Sequence, residues 1–420
     1  MFFNTSPRIP QSRDFNELRK LGRDAARWIE YIWLRVELDP YDCEQCCQPE
    51  SNFTHGKNTE DTEQVIAEFF RIMVLWSISY LGDGFTLEIS IHSPSDREHS
   101  FSSFDFDAVP NSHTQPGSGP SGNSPPRPTF DPDHNLRWAR RVGAIRRLFG
   151  RGAMPVEFNC ALPPVTIINR LIVRRQTRRR MSPAGYAHIF SALTCLKSTA
   201  LEFWREWPAL EQQNADNRHE FLLRYLPPSL RSLTLFEDFD DDTTRLVEAE
   251  LRFPVVADVS YWTWYTLESL SLTSQLLAPN ADPAEREKLL LSASVPIGHM
   301  RKLRTLEIWN GRPRVAGLFR YKPASESPKY HATITWKATW VCEKDLGDKV
   351  IRAWKTAAAR QSGLDADVLR FTVERQLLDG RAILSHAHAI RQLSLHIQVL
   401  DPGSEEQITL ETSSAAADGG

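Results

Sequence analysis

The sequence predicts an α/β fold, an irregular leucine-rich-repeat-like solenoid with a parallel sheet and helices on its convex side. A recurring short pattern, an alternation of helical and strand periodicity, and a length that supports a large core predict it together. The pattern is an apolar residue, two residues, an apolar residue, one residue, an apolar residue. It reads Leu230/Leu233/Leu235, Leu267/Leu270/Leu272, Leu303/Leu306/Ile308 and Ile390/Leu393/Leu395, with weaker copies at Ile168/Leu171/Val173 and Leu196/Thr199/Leu201. First positions recur 28 to 37 residues apart until a last gap of 87. A short strand followed by a returning helix cannot cover its own apolar face, so such units stack on their neighbours. The intervals exceed those of ordinary leucine-rich repeats, which makes the array irregular.

Each element follows from its local pattern. Leu18, Leu21, Ala25, Trp28, Ile29 and Ile32 recur at helical spacing, and residues 33–38 then alternate as a half-buried strand. Val65 to Leu81 returns to helical spacing, and Phe85 to Ile91 alternates again. This block, residues 13–108, is read as a helix-strand cap of the repeat body. Residues 134–402 form that body; its long gap holds a strand at Thr333–Trp336 and a helix near Lys349–Arg360. Ser182 is an N-cap residue, with Pro183 at the first helical position. Between Pro110 and Pro132 ten of 23 residues are Pro or Gly, so 109–133 is expected to be a disordered loop. Residues 1–12 and the tail 403–420 are expected to be disordered as well.

Composition excludes several classes. A net charge of −3 rules out a whole-chain polycation, so a nucleic-acid role would need a local patch. Six cysteines in 420 residues do not make a disulfide framework and favour a reducing compartment, cytoplasmic or nuclear. Met1 to Phe15 has no apolar segment of the signal-peptide kind. The apolar stretch from Phe69 to Leu81 is short and contains Arg71, so no membrane span is expected.

A set of stretches recurs in order: residues 31–38 (Tyr31 to Leu38), Cys43 and Cys46, Ser93 to His99, Leu171 to Arg180, Trp204-Arg205-Glu206-Trp207, and Glu307 to Arg312. The set resembles a filamentous-fungal family of unknown function. Its members carry an irregular leucine-rich-repeat-like body, often behind an F-box-like segment. The resemblance covers most of residues 20–402 and implies a ubiquitin-ligase adaptor as one partner. This sequence has no Leu-Pro-x-Glu-Ile-type opening, so the F-box-like segment is expected to be missing.

Several residue groups carry chemistry worth weighing. Cys43, Cys46 and Cys47 have zinc-knuckle spacing, but only His55 stands near as a fourth ligand, so a free-thiol loop is the stronger reading and no metal is assigned. Arg174, Arg175, Arg178, Arg179 and Arg180 lie just before the helix that begins near Ser182. Cations at a helix N-terminus are unfavourable without an anion. Three readings compete: a bound phosphate or nucleic-acid backbone, a nuclear-import signal, and internal pairing with Glu202, Glu206 or the acids Glu237, Asp238 and Asp240 to Asp242. Internal pairing or a solvated face is favoured.

Catalytic constellations are missing from the sequence. It contains no Gly-x-Ser-x-Gly and no Walker-type phosphate loop, and His219-Glu220 lacks its second histidine. The expectation is a non-enzymatic protein-interaction scaffold without a cofactor, binding an unidentified protein. Nucleic-acid binding through Arg174–Arg180 and a dispersed enzyme site are the alternatives. The expected partner-binding row, just past the third apolar position of each copy, is Arg174, Glu202, Phe236, Thr273, Trp309 and His396.

Overall fold

The computed structural model describes residues 2–5, 13–20, 28–77, 84–97, 143–144, 147, 153–175, 177, 179–204, 227–238, 265–324, 331–341, 346–406 and 408–409. The segment 109–133 expected as a loop lies outside them. The chain divides into two compact units: Met1–Leu193 with Leu400–Gln407, and Thr194–Val399 with Ile408–Gly420.

The first unit carries β1 (Phe2–Thr5), β2 (Tyr31–Glu37), β3 (Phe85–His92) and β4 (Ile168–Val173), paired in that order and all parallel. Its helices are α1 (Arg13–Lys20), α2 (Asn52–Ser77) and α3 (Pro183–Ala192). Alternation assigns the faces. Ile32, Leu34, Val36, Leu87, Ile89, Ile91, Leu171 and Val173 are buried on one side, and α2 buries Val65, Ile66, Phe69, Phe70, Met73 and Trp76. The other side is polar: Tyr31, Trp33 and Arg35 pair with Thr86, Glu88 and Ser90. Ser182 caps α3 by accepting from the Gly185 N–H, with Pro183 at its first turn, as the sequence predicts.

The second unit carries β5 (Ser198–Trp204), β6 (Ser232–Asp238), β7 (Ser269–Thr273) and β8 (Thr305–Arg312), parallel and in register. Three of the repeat copies therefore stack: Leu233, Leu270 and Leu306 are neighbours, as are Leu235, Leu272 and Ile308. The leading residues Leu196, Leu230, Leu267 and Leu303 are all buried. The second position repeats a backbone motif. The carbonyls of Lys197, Arg231 and Glu268 each accept two N–H groups from the next copy. At the surface Glu268 lies 3.9 Å from Arg231 and 3.5 Å from Arg304, alternating charge along that row.

After β8 the pattern changes. β9 (Val315–Lys322) returns antiparallel to β8 and pairs antiparallel with β10 (His331–Ala338); β11 (Arg370–Leu377) then runs parallel to β10. The uniformly parallel array the repeat predicts thus ends at β8. The cause is the two-residue turn at Pro313 and Arg314, where proline fixes the first φ and Arg314 takes a left-handed φ of 63°. The helices are α4 (Pro283–Ile297), α5 (Asp348–Ser362) and α6 (His386–Leu393). Phe319 and Tyr321 of β9 face α5, with ring centroids 4.8 and 5.0 Å from Trp354, and Tyr321 donates to Gln361 at 2.7 Å. Alternation therefore turns Arg320 and Lys322 to the opposite face.

Four further expectations are corrected. The copy Ile390/Leu393/Leu395 is not a strand: residues 386–393 are α6, capped by the Ser385 hydroxyl, which accepts from the His388 N–H. Ile32 belongs to β2 and not to the helix whose spacing includes it. Residues 2–5 form β1, where disorder was expected. Residues 402–406 are helical, so the expected tail from residue 403 begins inside a helix, and Ser404 there is fully buried.

Candidate functional site

The arginine run resolves into two buried networks of the first unit. Arg174 donates from Nε to Glu88 at 2.6 Å, stacks over the Trp33 ring at 4.9 Å and lies 3.9 Å from Asp401. Tyr31 also hydrogen-bonds Glu88, and Trp33 donates to Ser90 at 2.8 Å. Arg179 grips Asp96 with two nitrogens, at 2.6 and 3.2 Å, reaches Glu50 at 3.2 Å and donates to the Arg147 carbonyl. Asp96 also accepts from Tyr41 and from the Ser93 N–H. Burial pushes the Tyr41 hydroxyl up, and the Asp96 charge adds to it. Burial opposes ionisation of Glu50, but the Arg179 charge overrides it and holds the carboxyl below its ordinary value.

Internal pairing thus accounts for Arg174 and Arg179, with different partners from those expected. The carboxylates are Glu88, Asp96, Glu50 and Asp401, contributed by β3, by the turn after it and by loops. Glu206 and Asp240 to Asp242 lie outside the described residues. Arg174, Arg175 and Arg179 are buried, Arg180 is half-buried, and Arg178 lies outside the described residues. Buried guanidinium groups on internal carboxylates are not an open phosphate-binding surface, which sets Arg174 and Arg179 apart from the anion-site alternative.

Cys43, Cys46 and Cys47 lie in one turn, with the Cys46 and Cys47 sulfurs 3.3 Å apart and Cys46 donating to the Cys43 carbonyl. Burial pushes the Cys46 thiol up to about 12, with Cys47 next in effect. His55 lies toward Glu50, 3.8 Å away, and is not gathered with the thiols. Among the described residues no group of three or more His, Cys, Asp or Glu is placed to hold a metal.

The expected partner-binding row is mostly enclosed. Arg174, Glu202, Thr273 and Trp309 are buried, His396 is exposed, and the Phe236 side chain lies outside the described set. That expectation assumed an open sheet face. In the second unit the segment read as a sixth strand instead lies over it: a Cβ on Gly311 would come within 2.4 Å of the Ala389 Cβ on α6.

An open groove of about 610 Å³ begins where α6 ends. It is lined by Arg320 and Lys322 of β9, Thr333, Thr335 and Lys337 of β10, Glu374, Arg375 and Gln376 of β11, and His396. Register places Lys322 opposite Thr333 and Arg320 opposite Thr335, so these side chains share one face. Two cations are fixed by the turn after α6. Arg320 donates to Glu307 at 2.7 Å and to the Ser394 carbonyl at 2.6 Å, and Lys337 donates to the Leu393 carbonyl at 3.1 Å. Cations suit these carbonyls, since a helix C-terminus carries partial negative charge. Glu307 also accepts the N–H groups of His396 and Ile397. Desolvation lowers Lys337, with Arg320 next in effect. It also brings His396 down to about 4, helped by Arg320, Lys322 and Lys337, so this imidazole is neutral at pH 7. Of the groove only His396 stood among the expected site residues. The rest sit on β9 to β11, which carry no copy of the repeat.

Residues 245–401 match the model of a family of unknown function (DUF6546), a stretch that contains every residue lining the groove. No curated protein and no solved structure matches the chain. Among the described residues no helix is long and apolar enough to cross a membrane.

Proposed function

We propose that this chain is a non-enzymatic protein-interaction scaffold of the leucine-rich-repeat type and that it engages its partner at the groove on β9 to β11. The observation that carries the reading is the charge of that groove. Three cations, Arg320, Lys322 and Lys337, stand against Glu374 and Glu307 on an open sheet face. Three features support a scaffold. The stacked copies at Leu233, Leu270 and Leu306 form a rigid parallel platform. Arg320 and Lys337 are held in place before any ligand arrives, which lowers the entropic cost of binding. The groove also lies inside the family-matched stretch. A partner with an acidic contact surface fits it best. The F-box-like resemblance of the sequence adds a ubiquitin-ligase adaptor as a second partner class. Affinity capture from native lysate, comparing the unaltered chain with Lys322→Glu, tests the reading. The partner is expected to be retained by the first and lost from the second. A partner set unchanged by Lys322→Glu would refute it.

A further inference from the structure

We infer that the exposed edge strand β11 pairs antiparallel with β11 of a second copy of this chain, giving a two-fold dimer. The inference goes beyond the scaffold reading and does not depend on it. β11 pairs with β10 along its whole length, and among the described residues no strand lies on its other side. An edge of this kind presents a row of N–H and C=O groups that templates further pairing. Brevity, proline and bulges, the usual ways of blunting an edge, are missing. β11 is eight residues long, contains neither proline nor glycine, and keeps an unbroken register with β10. Arg370 and Glu374 to Leu377 are exposed, and Phe371 to Val373 are half-buried.

Charge selects the occupant. Charged residues can also blunt an edge, but those of β11 match a second copy of themselves. An antiparallel two-fold pairing keeps both sheet faces continuous only where residues of like parity meet. Centred on Thr372, it sets Arg370 against Glu374 of the second copy and Phe371 against its Val373, each pair occurring twice by symmetry. Centred on Glu374 or Arg375 it would set like charges face to face, and centred on Val373 it would match Arg370 with Gln376. Both ionic groups are available for this contact. Arg370 makes no hydrogen bond or ion pair among the described residues, and Glu374 accepts from the Thr335 hydroxyl through Oε2 at 3.2 Å, leaving Oε1 for a guanidinium. Arg375 stands opposite Trp336 on the other face, donates to the Leu346 carbonyl at 3.3 Å, and meets no like charge in this register. Val368 and Leu377, 64% and 63% exposed, flank the strand, and the antiparallel sense brings the Leu377 end of one copy to the Val368 end of the other. Arg370 shares the face of Glu374, which lines the groove, so each copy delivers a guanidinium to the rim of the other's groove.

The test is sedimentation velocity of the full chain across the micromolar range at low ionic strength. The samples are the unaltered chain, Arg370→Glu, Glu374→Arg, and an equimolar mixture of the two variants. The unaltered chain is expected to dimerise. Each variant alone turns both symmetric ion pairs into like-charge contacts and is expected to weaken the dimer about tenfold or more. The mixture restores opposite charges at both contacts and is expected to recover the dimer. Both residues are exposed, so the variants are expected to fold, which circular dichroism checks. A measurement without variants runs beside it: amide exchange in residues 370–377 of the unaltered chain is expected to slow as concentration rises. A monomeric unaltered chain, growth beyond a dimer, or exchange independent of concentration overturns the inference. So does a single variant that dimerises as tightly as the unaltered chain, or a mixture of folded variants that stays monomeric. Lys322 lies on β9, so failure of the capture experiment and failure of this one are read apart.

Discussion

Glu307 of β8 and Arg320 of β9 face each other across the antiparallel ladder, joined at 2.7 Å and both buried, and together they hold the turn that follows α6. Glu307 accepts the His396 and Ile397 N–H groups, and Arg320 donates to the Ser394 carbonyl, where Ser394 takes a left-handed φ of 53°. The pair connects the buried sheet to the rim of the groove. Removing one partner strands the other charge in the interior, which costs about 3–5 kcal/mol. Arg320→Met is expected to lose that much stability in urea unfolding. Glu307→Gln is expected to lose less, because its amide oxygen can still accept from His396. A loss under about 1 kcal/mol for Arg320→Met would mean that the pair is not needed for the fold.

Gly311 is where α6 comes closest to β8. A Cβ there would meet the Ala389 Cβ at 2.4 Å and Trp309 at 3.3 Å. Gly311→Ala is expected to destabilise the protein by about 1–3 kcal/mol. It is also expected to speed amide exchange in residues 386–397. Wild-type exchange in that segment would show that the helix yields without loosening.

The Arg179 network has a definite acid signature. The folded value of Glu50 is depressed, so its stabilisation is full above the unfolded value of about 4.3 and is lost as the pH falls through the lower folded value. Unfolding free energy measured between pH 6 and pH 3 is expected to drop in that window. Glu50→Gln is expected to flatten the part of the drop that belongs to this carboxyl. An identical slope in the variant would assign the acid sensitivity to other groups.

His396 titrates in the opposite setting, among cations. Its folded value near 4 lies below the unfolded 6.5, so its contribution to stability is full above pH 6.5 and declines as the pH falls toward 4. The groups facing it are Arg320, Lys322 and Lys337, all positive, with the Glu307 carboxylate on its backbone N–H. Proton NMR is expected to find its midpoint well below 6.5, and Lys322→Gln is expected to raise it. A midpoint at 6.5 in both proteins would mean that no positive field acts at the rim.

Much of this architecture was legible from periodicity. The alternation from Phe85 to Ile91 is β3, the copies at 230, 267 and 303 begin β6, β7 and β8, and Ser182-Pro183 opens α3. The failures share a cause: three apolar points fit more than one geometry. Ile390 and Leu393 are also one helical turn apart, and the Ser385 cap decides for the helix. β9 carries no copy of the repeat; it follows a two-residue turn at Pro313 and Arg314, and Gly311 before that turn admits α6. The groove was hardly legible. Its polar side chains come from three strands and a turn brought together only by that hairpin, and no spacing in the chain announces it. The arginine run was visible, but its carboxylates at positions 50, 88, 96 and 401 are too distant in sequence for any local pattern to pair them.

The central claim is that the groove is the contact surface, and the dissociation constant for the captured partner tests it most directly. Three proteins suffice: the unaltered chain, Lys322→Glu in the groove, and Lys349→Glu on α5, which is exposed and paired with Glu287 at 3.0 Å away from the groove. Lys322→Glu is expected to weaken binding about tenfold or more, while Lys349→Glu stays within about twofold of the unaltered chain. Equal affinity for the unaltered chain and Lys322→Glu, with both folded, would contradict the account.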